Sequence, residues 1–420
     1  MTKHKIPRGT YDILPTESYK WQYVQNIFRE VAKLYNFKEI VTPIFETSAL
    51  FERSVGDTSD IVEKEMYKFS DKKGRILALR PEGTASVVRS LVENNLDLQP
   101  NSSKVYYMGP MFRYDRPQKG RYRQFYQYGI EYFGSENPLV DAQTIAFADT
   151  FLKKVGLKNY NLEINSIGNS NCSDDYDQAL VNYFKPHLNE LCNDCQRRIE
   201  KNPKRLLDCK NKTCKSFAVK APSMLEYLDE ECKIHFEKVQ EYLTKMNIDF
   251  IINPLIVRGI DYYSQTAFEF IDTNLGAQNT LIGGGRYDGL VKQMGGRDVP
   301  GIGFAGGFER LLLSMEAESI SFGEEQKPNI FLVTLGENAD EFAPSLLAKF
   351  RANGIASEFD PDKHSIKAQM KSANRINADY VLILGDDELA NDKINLKNME
   401  TGEQAEIALS EIIAKLKEKF

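Results

Sequence analysis

Histidine is scarce in this 420-residue chain: there are four, His4, His187, His235 and His364. None lies in the segments that carry the chain's chemistry, which argues against histidine acid–base catalysis and against Ser-His-Asp or Cys-His arrangements. No apolar run approaches the length of a membrane span. The stretch from Met1 to Asp12 has charges but no apolar run after it, so no signal peptide is expected and a cytoplasmic location is. Positive charge is not in excess either. The net charge of −6 argues against nonspecific coating of nucleic acid, which usually leaves a strongly basic chain. Internal repeats and low-complexity segments are absent. Cysteine is limited to six residues, four of them clustered as Cys192-x2-Cys195-x13-Cys209-x4-Cys214. In a cytosolic protein such a cluster reads as zinc ligation before disulfides. The spacing is looser than in the best zinc ribbons, and no glycine knuckle follows either pair. A set of reduced structural thiols is the other reading, and both stay open.

What is present begins with ordinary globular composition, 42% hydrophobic and 27% charged, in a chain long enough for more than one domain. Trp21, Val24, Phe28, Val31 and Tyr35 recur at helical spacing and predict a helix over 16–36 with Thr16 as its N-cap. A short strand follows at 39–43, closed by Pro43. Segments 104–113 and 123–133 are rich in Tyr, Phe, Val and Ile and predict a long antiparallel hairpin. From about 168 to 254 the pattern turns helical, at 174–191 and 222–246, and reads as an insertion carrying the cysteines. Strands are expected again at 254–258, 266–271 and 279–283. A polar linker at 316–328 then leads to strands at 329–335, 355–359 and 378–384 alternating with helices at 338–353 and 365–377. That rhythm predicts a small α/β domain with a mainly parallel sheet, and Gly354 falls where a C′ residue would end the first of these helices.

The predicted hairpin concentrates charge. Between Arg113 and Arg123 five cations, Arg113, Arg116, Lys119, Arg121 and Arg123, stand against one anion, Asp115. Such a basic loop suits a polyphosphate or a nucleic acid. Gln127, Gly129 and Glu131 share one strand face, and Gly129 between two polar residues leaves room for a ligand to approach the backbone. Three further segments carry candidate chemistry. In Arg80-Pro81-Glu82-Gly83-Thr84-Ala85, an extended backbone would aim the Glu82 carboxylate and the Thr84 hydroxyl together at an ammonium group; a capping or turn role fits equally well. Arg258-Gly259-Ile260-Asp261-Tyr262-Tyr263 suits a small polar ligand, or a turn with a surface arginine. In Gly301 to Leu311 a glycine-rich strand runs into a helix with Arg310 in its first turn, where the helix dipole disfavours a cation unless an anion is bound nearby. Arginine with glycine and aromatics recurs throughout, as suits a reaction run by positioning and by neutralising phosphate charge.

Taken together these segments resemble the class II aminoacyl-tRNA synthetases. The Pro43 region is similar to motif 1, Phe112 to Glu131 to motif 2, and Gly301 to Leu311 to motif 3. Arg258 to Tyr263, Gly283-Gly284-Gly285-Arg286-Tyr287-Asp288-Gly289, the opening Pro7-Arg8-Gly9-Thr10-x-Asp12 and Arg80 to Ala85 resemble the signatures of the histidyl-tRNA synthetase family. The match spans essentially the whole chain in the right order.

This resemblance implies an α+β catalytic domain at 1–325, with an antiparallel sheet flanked by helices and the insertion 168–254 within it. A C-terminal α/β anticodon-binding domain would follow at 326–420. It also implies a ligase that activates L-histidine with ATP and Mg²⁺ and transfers it to the 3′ end of tRNA, without an organic cofactor and without a metal ligand in the site. By position, Arg113 would hold the α-phosphate, with Arg258 on its other side. Arg121 and Arg310 would hold the outer phosphates, and Phe125 would stack on adenine; Arg113, Arg258 and Arg310 are then the catalytic set. Glu131 and Tyr263 would meet the two imidazole nitrogens, Tyr262 and Tyr287 would wall the pocket, and Glu82, Thr84 and Gln127 would hold the α-amino group. Arg116, Gln118 and Lys119 would contact the tRNA acceptor end, and motif 1, near Trp21 to Pro43, would form a homodimer interface.

Two rival functions remain. One is the histidyl-tRNA synthetase-like regulatory subunit of ATP phosphoribosyltransferase, whose members usually lack the anticodon-binding domain that 329–420 supplies here. The other is a pure RNA-binding protein, which the acidic balance disfavours.

Overall fold

The computed structural model describes residues 4–55, 59, 61–96, 103–257, 262–276, 279–323, 325–362 and 364–420. They divide into two compact units, 1–323 and 324–420. In the first, the strands are β1 (Lys38–Glu39), β2 (Phe45–Thr47), β3 (Lys68–Ser70), β4 (Ile76–Leu79), β5 (Lys104–Phe112), β6 (Gln124–Phe133), β7 (Tyr160–Ser166), β8 (Ile251–Ile252), β9 (Ser264–Asp272), β10 (Thr280–Arg286) and β11 (Gly301–Gly307). Its helices are α1 (Pro15–Leu34), α2 (Ser48–Val55), α3 (Thr84–Glu93), α4 (Pro138–Lys154), α5 (Ser170–Phe184), α6 (Asn193–Lys201), α7 (Lys212–Ala218), α8 (Glu230–Lys245), α9 (Leu290–Gln293) and α10 (Phe308–Ala317).

Eight strands form one sheet in the order β1-β5-β6-β11-β10-β9-β7-β8. Its central pairs are antiparallel, and only the β1–β5 and β7–β8 pairs at its margins are parallel. Side-chain alternation sorts its two faces. Tyr128 and Ile130 of β6 join Trp21, Val24, Phe28 and Val31 of α1 and Phe147 and Phe151 of α4 in one core. Phe133 on the opposite face joins Val87, Val88 and Leu91 of α3. Gln127, Gly129 and Glu131 point to that second face, where the site lies. The α1 stripe is the one expected from spacing, but Thr16 is not the cap: Pro15 occupies the first turn and Leu14 the N-cap, without a side-chain cap bond. Proline needs no partner for a missing N–H, so the helix can begin one residue earlier. The strand expected at 39–43 is reduced to β1, and Pro254 and Leu255 turn where a strand was expected at 254–258.

Within the expected insertion, Cys172 to Cys232 enclose a separate small core built on Tyr176, Leu180, Phe184 and Leu206. Helix α8 starts at Glu230, not 222, with Asp229 as its N-cap. It lays Phe236, Val239 and Leu243 into the main core.

The second unit has β12 (Ile330–Leu335), β13 (Ser357–Phe359), β14 (Tyr380–Gly385), β15 (Lys393–Asn398) and β16 (Gln404–Ala408), with helices α11 (Glu337–Ala352), α12 (Ile366–Arg375), α13 (Asp386–Ala390) and α14 (Ile412–Lys417). Strands β13, β12 and β14 are parallel, as the alternating pattern predicts. The hairpin β15–β16 extends the sheet antiparallel, an addition not anticipated because only Ile394 and Leu396 mark its buried face. Gly354 follows the α11 C-cap with φ +80°, a conformation glycine adopts at little cost.

Candidate active site

A cavity of about 290 Å³ opens on the second face of the large sheet. The hairpin β5–β6, strands β10 and β11, the α3 and α10 N-termini and Tyr262 and Tyr263 surround it. Of the residues expected at the site, Glu82, Thr84, Arg113, Arg121, Phe125, Gln127, Tyr262, Tyr263 and Arg310 line this cavity together. Arg258 lies outside the described residues. Glu131 and Tyr287 are fully buried just behind the lining, and the exposed Arg116, Gln118 and Lys119 sit at the hairpin tip. That tip is a tight turn. Gln118 and Arg121 exchange two backbone hydrogen bonds, and Gly120 takes φ +74°.

Three guanidinium groups converge on the cavity. The Arg113 Nε donates to the Pro81 carbonyl at 2.8 Å, and its head lies 5.3 Å from the Phe125 ring centroid. Arg310 donates from Nη1 to the Thr280 carbonyl at 3.1 Å. Arg121 is paired with Asp115 and, at 3.6 Å, with Glu65. Burial and then the neighbouring arginine charges depress the basicity of Arg310. Burial is also the main cause for Arg113, with Arg121 opposing its charge as well. Like charges held together in a half-buried cavity are costly unless an anion joins them, and a bound polyanion relieves that conflict.

The segment Arg80 to Ala85 is not extended. Gly83 is the N-cap of α3, and the Glu82 carboxylate accepts from the Thr84 and Ala85 backbone N–H groups at 2.6 and 2.8 Å. A carboxylate is favoured there because it satisfies N–H groups that have no partner within the helix. Arg80 is a staple: its Nε reaches the Pro110 carbonyl at 2.9 Å and its Nη1 the Thr42 carbonyl at 2.9 Å.

Thr84 donates its hydroxyl to Glu131 Oε1 at 2.7 Å, and the Tyr287 hydroxyl donates to Glu131 Oε2. Both carboxylate oxygens thus already have local donors, which is why Glu131 does not reach the cavity directly as expected. Burial, chiefly, and then the Glu82 charge push its carboxyl up to about 8, although the bonds from Tyr287 and Thr84 pull it down. Gly303 makes room for it, since a Cβ there would meet Glu131 Oε2 and the Ile130 carbonyl well inside contact distance. The gap predicted at Gly129 is filled instead by the Tyr107 ring, whose Cζ would lie 2.6 Å from an added Cβ. Gln127 presents a buried Oε1 without a hydrogen-bond partner, an unmet acceptor facing the cavity.

The pattern of glycines, arginines and motif order is matched by the family model for histidyl-tRNA synthetase over residues 9–311. The chain belongs to the histidyl-tRNA synthetase family. Its second unit matches the anticodon binding domain over residues 329–419. A histidine–tRNA ligase of Bacillus licheniformis is 52% identical over 415 residues, covering 98% of both chains. One of Bacillus subtilis is 51% identical over 417 residues, covering 99% of this chain and 98% of that protein. The crystal structure of apo histidyl-tRNA synthetase of Staphylococcus aureus superposes with a TM-score of 0.85 at 43% identity, covering 99% of this chain and 100% of that one. The fold is that of the class II synthetases.

Two parts of the site escaped sequence reasoning. Glu309 lines the cavity, accepts from the Tyr11 hydroxyl at 2.7 Å and the Tyr126 N–H at 2.9 Å, and is pushed by burial to about 6. Its place next to Arg310 at the start of α10 was the available signal. The other is a buried network in the Gly283–Gly289 block. Arg286 and Asp141 are both fully buried, and Arg286 Nη2 donates to Asp141 Oδ2 at 2.7 Å. Arg286 Nη1 reaches Asp288 at 3.0 Å, and His235 Nε2 lies 3.1 Å from Asp141 Oδ1. This network fixes β10 against α4 beside Tyr287, the residue that holds Glu131.

Proposed function

We propose that the chain is a histidine–tRNA ligase. It forms histidyl-adenylate and pyrophosphate from L-histidine and ATP, then passes histidine to the 3′ end of its tRNA. The observation that carries this reading is one cavity that joins three convergent arginines to Glu82, Thr84, Gln127 and two tyrosines. A polyphosphate answers the first set and an amino acid the second. The family membership and the anticodon-binding unit favour this function over the regulatory-subunit alternative.

In this reading Arg113 grips the α-phosphate, and Arg258, outside the described residues, is assigned to the same group by its motif alone. Arg310 and Arg121 take the outer phosphates, so ATP must draw Arg121 away from Asp115 and Glu65. Phe125 stacks on adenine. Mg²⁺ would accompany ATP and neutralise phosphate charge, and Glu309, a carboxylate of the cavity lining, would be the protein group to hold it. The α-ammonium group meets Gln127 Oε1 and the negative charge of Glu82. Tyr262 and Tyr263 flank the imidazole, and Glu131 supports it through Thr84 and Tyr287 or directly once they yield. The hairpin tip, with Arg116 and Lys119 on phosphates and Gln118 at a base edge, serves the tRNA acceptor end. The exposed Val41 and Phe45, 81% and 49% accessible, suit a homodimer interface beside motif 1. The place of action is the cytoplasm, and no helix among the described residues is long and apolar enough to cross a membrane.

The deciding experiment is ATP–pyrophosphate exchange without tRNA. Exchange that requires L-histidine is expected; none in folded protein overturns the assignment, and exchange driven by another amino acid overturns the specificity.

Glu131 makes histidine binding proton-linked. Its carboxyl titrates near 8 in the folded protein, above the usual range for glutamate, so the folded state retains its proton between roughly pH 4.5 and 8. The contribution to stability is therefore greatest below that window and declines as pH rises through it. Bringing an ammonium group and an imidazole N–H close favours the carboxylate, so histidine binding at pH 7.5 expels part of a proton. Calorimetric enthalpies should differ between buffers of unlike ionisation heat, and Glu131→Gln should remove the difference. Identical wild-type enthalpies in all buffers would contradict this role.

A further inference from the structure

The cysteine quartet lies in the insertion's own core, separate from the site described above. Cys192 is the N-cap of α6 and Cys195 lies in its first turn; Cys209 follows the short turn at 203–206, and Cys214 lies in α7. The four sulfur atoms come from three separate stretches of backbone, yet all lie within 4.8 Å of one another. Cys195, Cys209 and Cys214 are buried. Cys192 Sγ stands 3.8 Å from Cys209 Sγ, too far for a disulfide bond. That separation equals the edge of a tetrahedron whose centre lies about 2.3 Å from each corner, the usual zinc–sulfur bond.

The surroundings suit a thiolate site. The Cys192 backbone N–H donates to Cys214 Sγ at 3.2 Å, the kind of outer contact that orients a metal-bound sulfur. Between residues 193 and 216 eight cations face three anions, a balance that favours a tetrathiolate site of net charge −2. The elements that carry the ligands are short: α6 has nine residues and α7 seven. Helices of that length are marginal by themselves, and a central ion would cross-link them. The nearby group of Cys172, Asp229 and Cys232 differs in kind. It offers three atoms, and Asp229 already accepts from the Cys232 N–H as the α8 cap.

We propose that Cys192, Cys195, Cys209 and Cys214 bind one structural zinc ion as four thiolates and thereby staple the insertion together. Each thiol gives its proton to solvent when the ion binds, and no electron is transferred.

The test uses the full-length, untagged protein, expressed with zinc and purified without chelator. Elemental analysis should find about one zinc per chain, and zinc-edge X-ray absorption should show sulfur neighbours alone at about 2.3 Å. Cys195→Ser with Cys209→Ser should lose the metal, and Cys172→Ser with Cys232→Ser should keep it. Cys192→His should retain zinc with one nitrogen in place of one sulfur. If the serine variants do not fold, the wild-type stoichiometry and absorption edge still decide. Zinc-free protein with four alkylatable thiols, a Cys192–Cys209 disulfide, or iron in place of zinc would each overturn the proposal.

Discussion

Replacing Arg113 by alanine should slow histidine-dependent ATP–pyrophosphate exchange by about 10²–10³-fold, or ~3–4 kcal/mol of transition-state stabilisation. The size follows from preorganisation. The 2.8 Å bond from Nε to the Pro81 carbonyl and the Phe125 ring beneath set the plane of the guanidinium before any substrate arrives. Its position beside Arg121 and Arg310 is unfavourable in the free protein, and in the proposed role it would become favourable as negative charge grows at the α-phosphate during adenylyl transfer. The loss should therefore fall on kcat more than on the KM for histidine. Arg113→Lys should recover only part of it, because an ammonium group keeps the charge but not the planar fork. A change of less than about threefold in Arg113→Ala would remove Arg113 from the catalytic set.

Asp141→Ala should destabilise the first unit by about 3–5 kcal/mol, since it takes from the wholly buried Arg286 the carboxylate that meets its Nε and Nη2, leaving Asp288 on Nη1 as the remaining carboxylate partner. Burial alone would raise the Asp141 carboxyl, but His235 and Arg286 outweigh it and hold it below the usual range. A carboxylate with a lowered folded value stabilises above its unfolded titration point and loses that contribution as pH falls. The wild-type advantage over Asp141→Ala should accordingly shrink in acid. Trp21, the single tryptophan, lies in the core that α4 helps to form, so its fluorescence during denaturation reports this unit. Adding Arg286→Met to Asp141→Ala should recover much of the loss by removing the buried charge whose Nε and Nη2 lost their partner. A single-variant effect under about 1 kcal/mol would mean that the network contributes little.

The sequence was most legible where structure depends on near neighbours. The α1 stripe, the β5–β6 hairpin and the βαβ rhythm of the second unit follow from spacing, and motif order was enough to reveal the family. Charge along the hairpin pointed to phosphate before any geometry was known, and the arginines expected to bind it, apart from the undescribed Arg258, do line one cavity. Where spacing misled, a local competitor was at work: Pro15 displaced Thr16 as the start of α1. At Glu82, where capping and ligand binding were both open, the carboxylate caps α3 at the cavity wall.

Tertiary structure decided what distant partners decide. Glu131 finds Thr84 across 47 residues and Tyr287 across 156; those bonds hold it just behind the pocket wall, and burial, against their pull, raises its carboxyl. Arg286 is a buried anchor to Asp141, 145 residues away. Periodicity and composition register which side chains are apolar and in what order, and so they determined the elements, while the ordered motifs marked the family. They do not register which polar groups meet once water is excluded, and burial fixes both the partners of those groups and their charge.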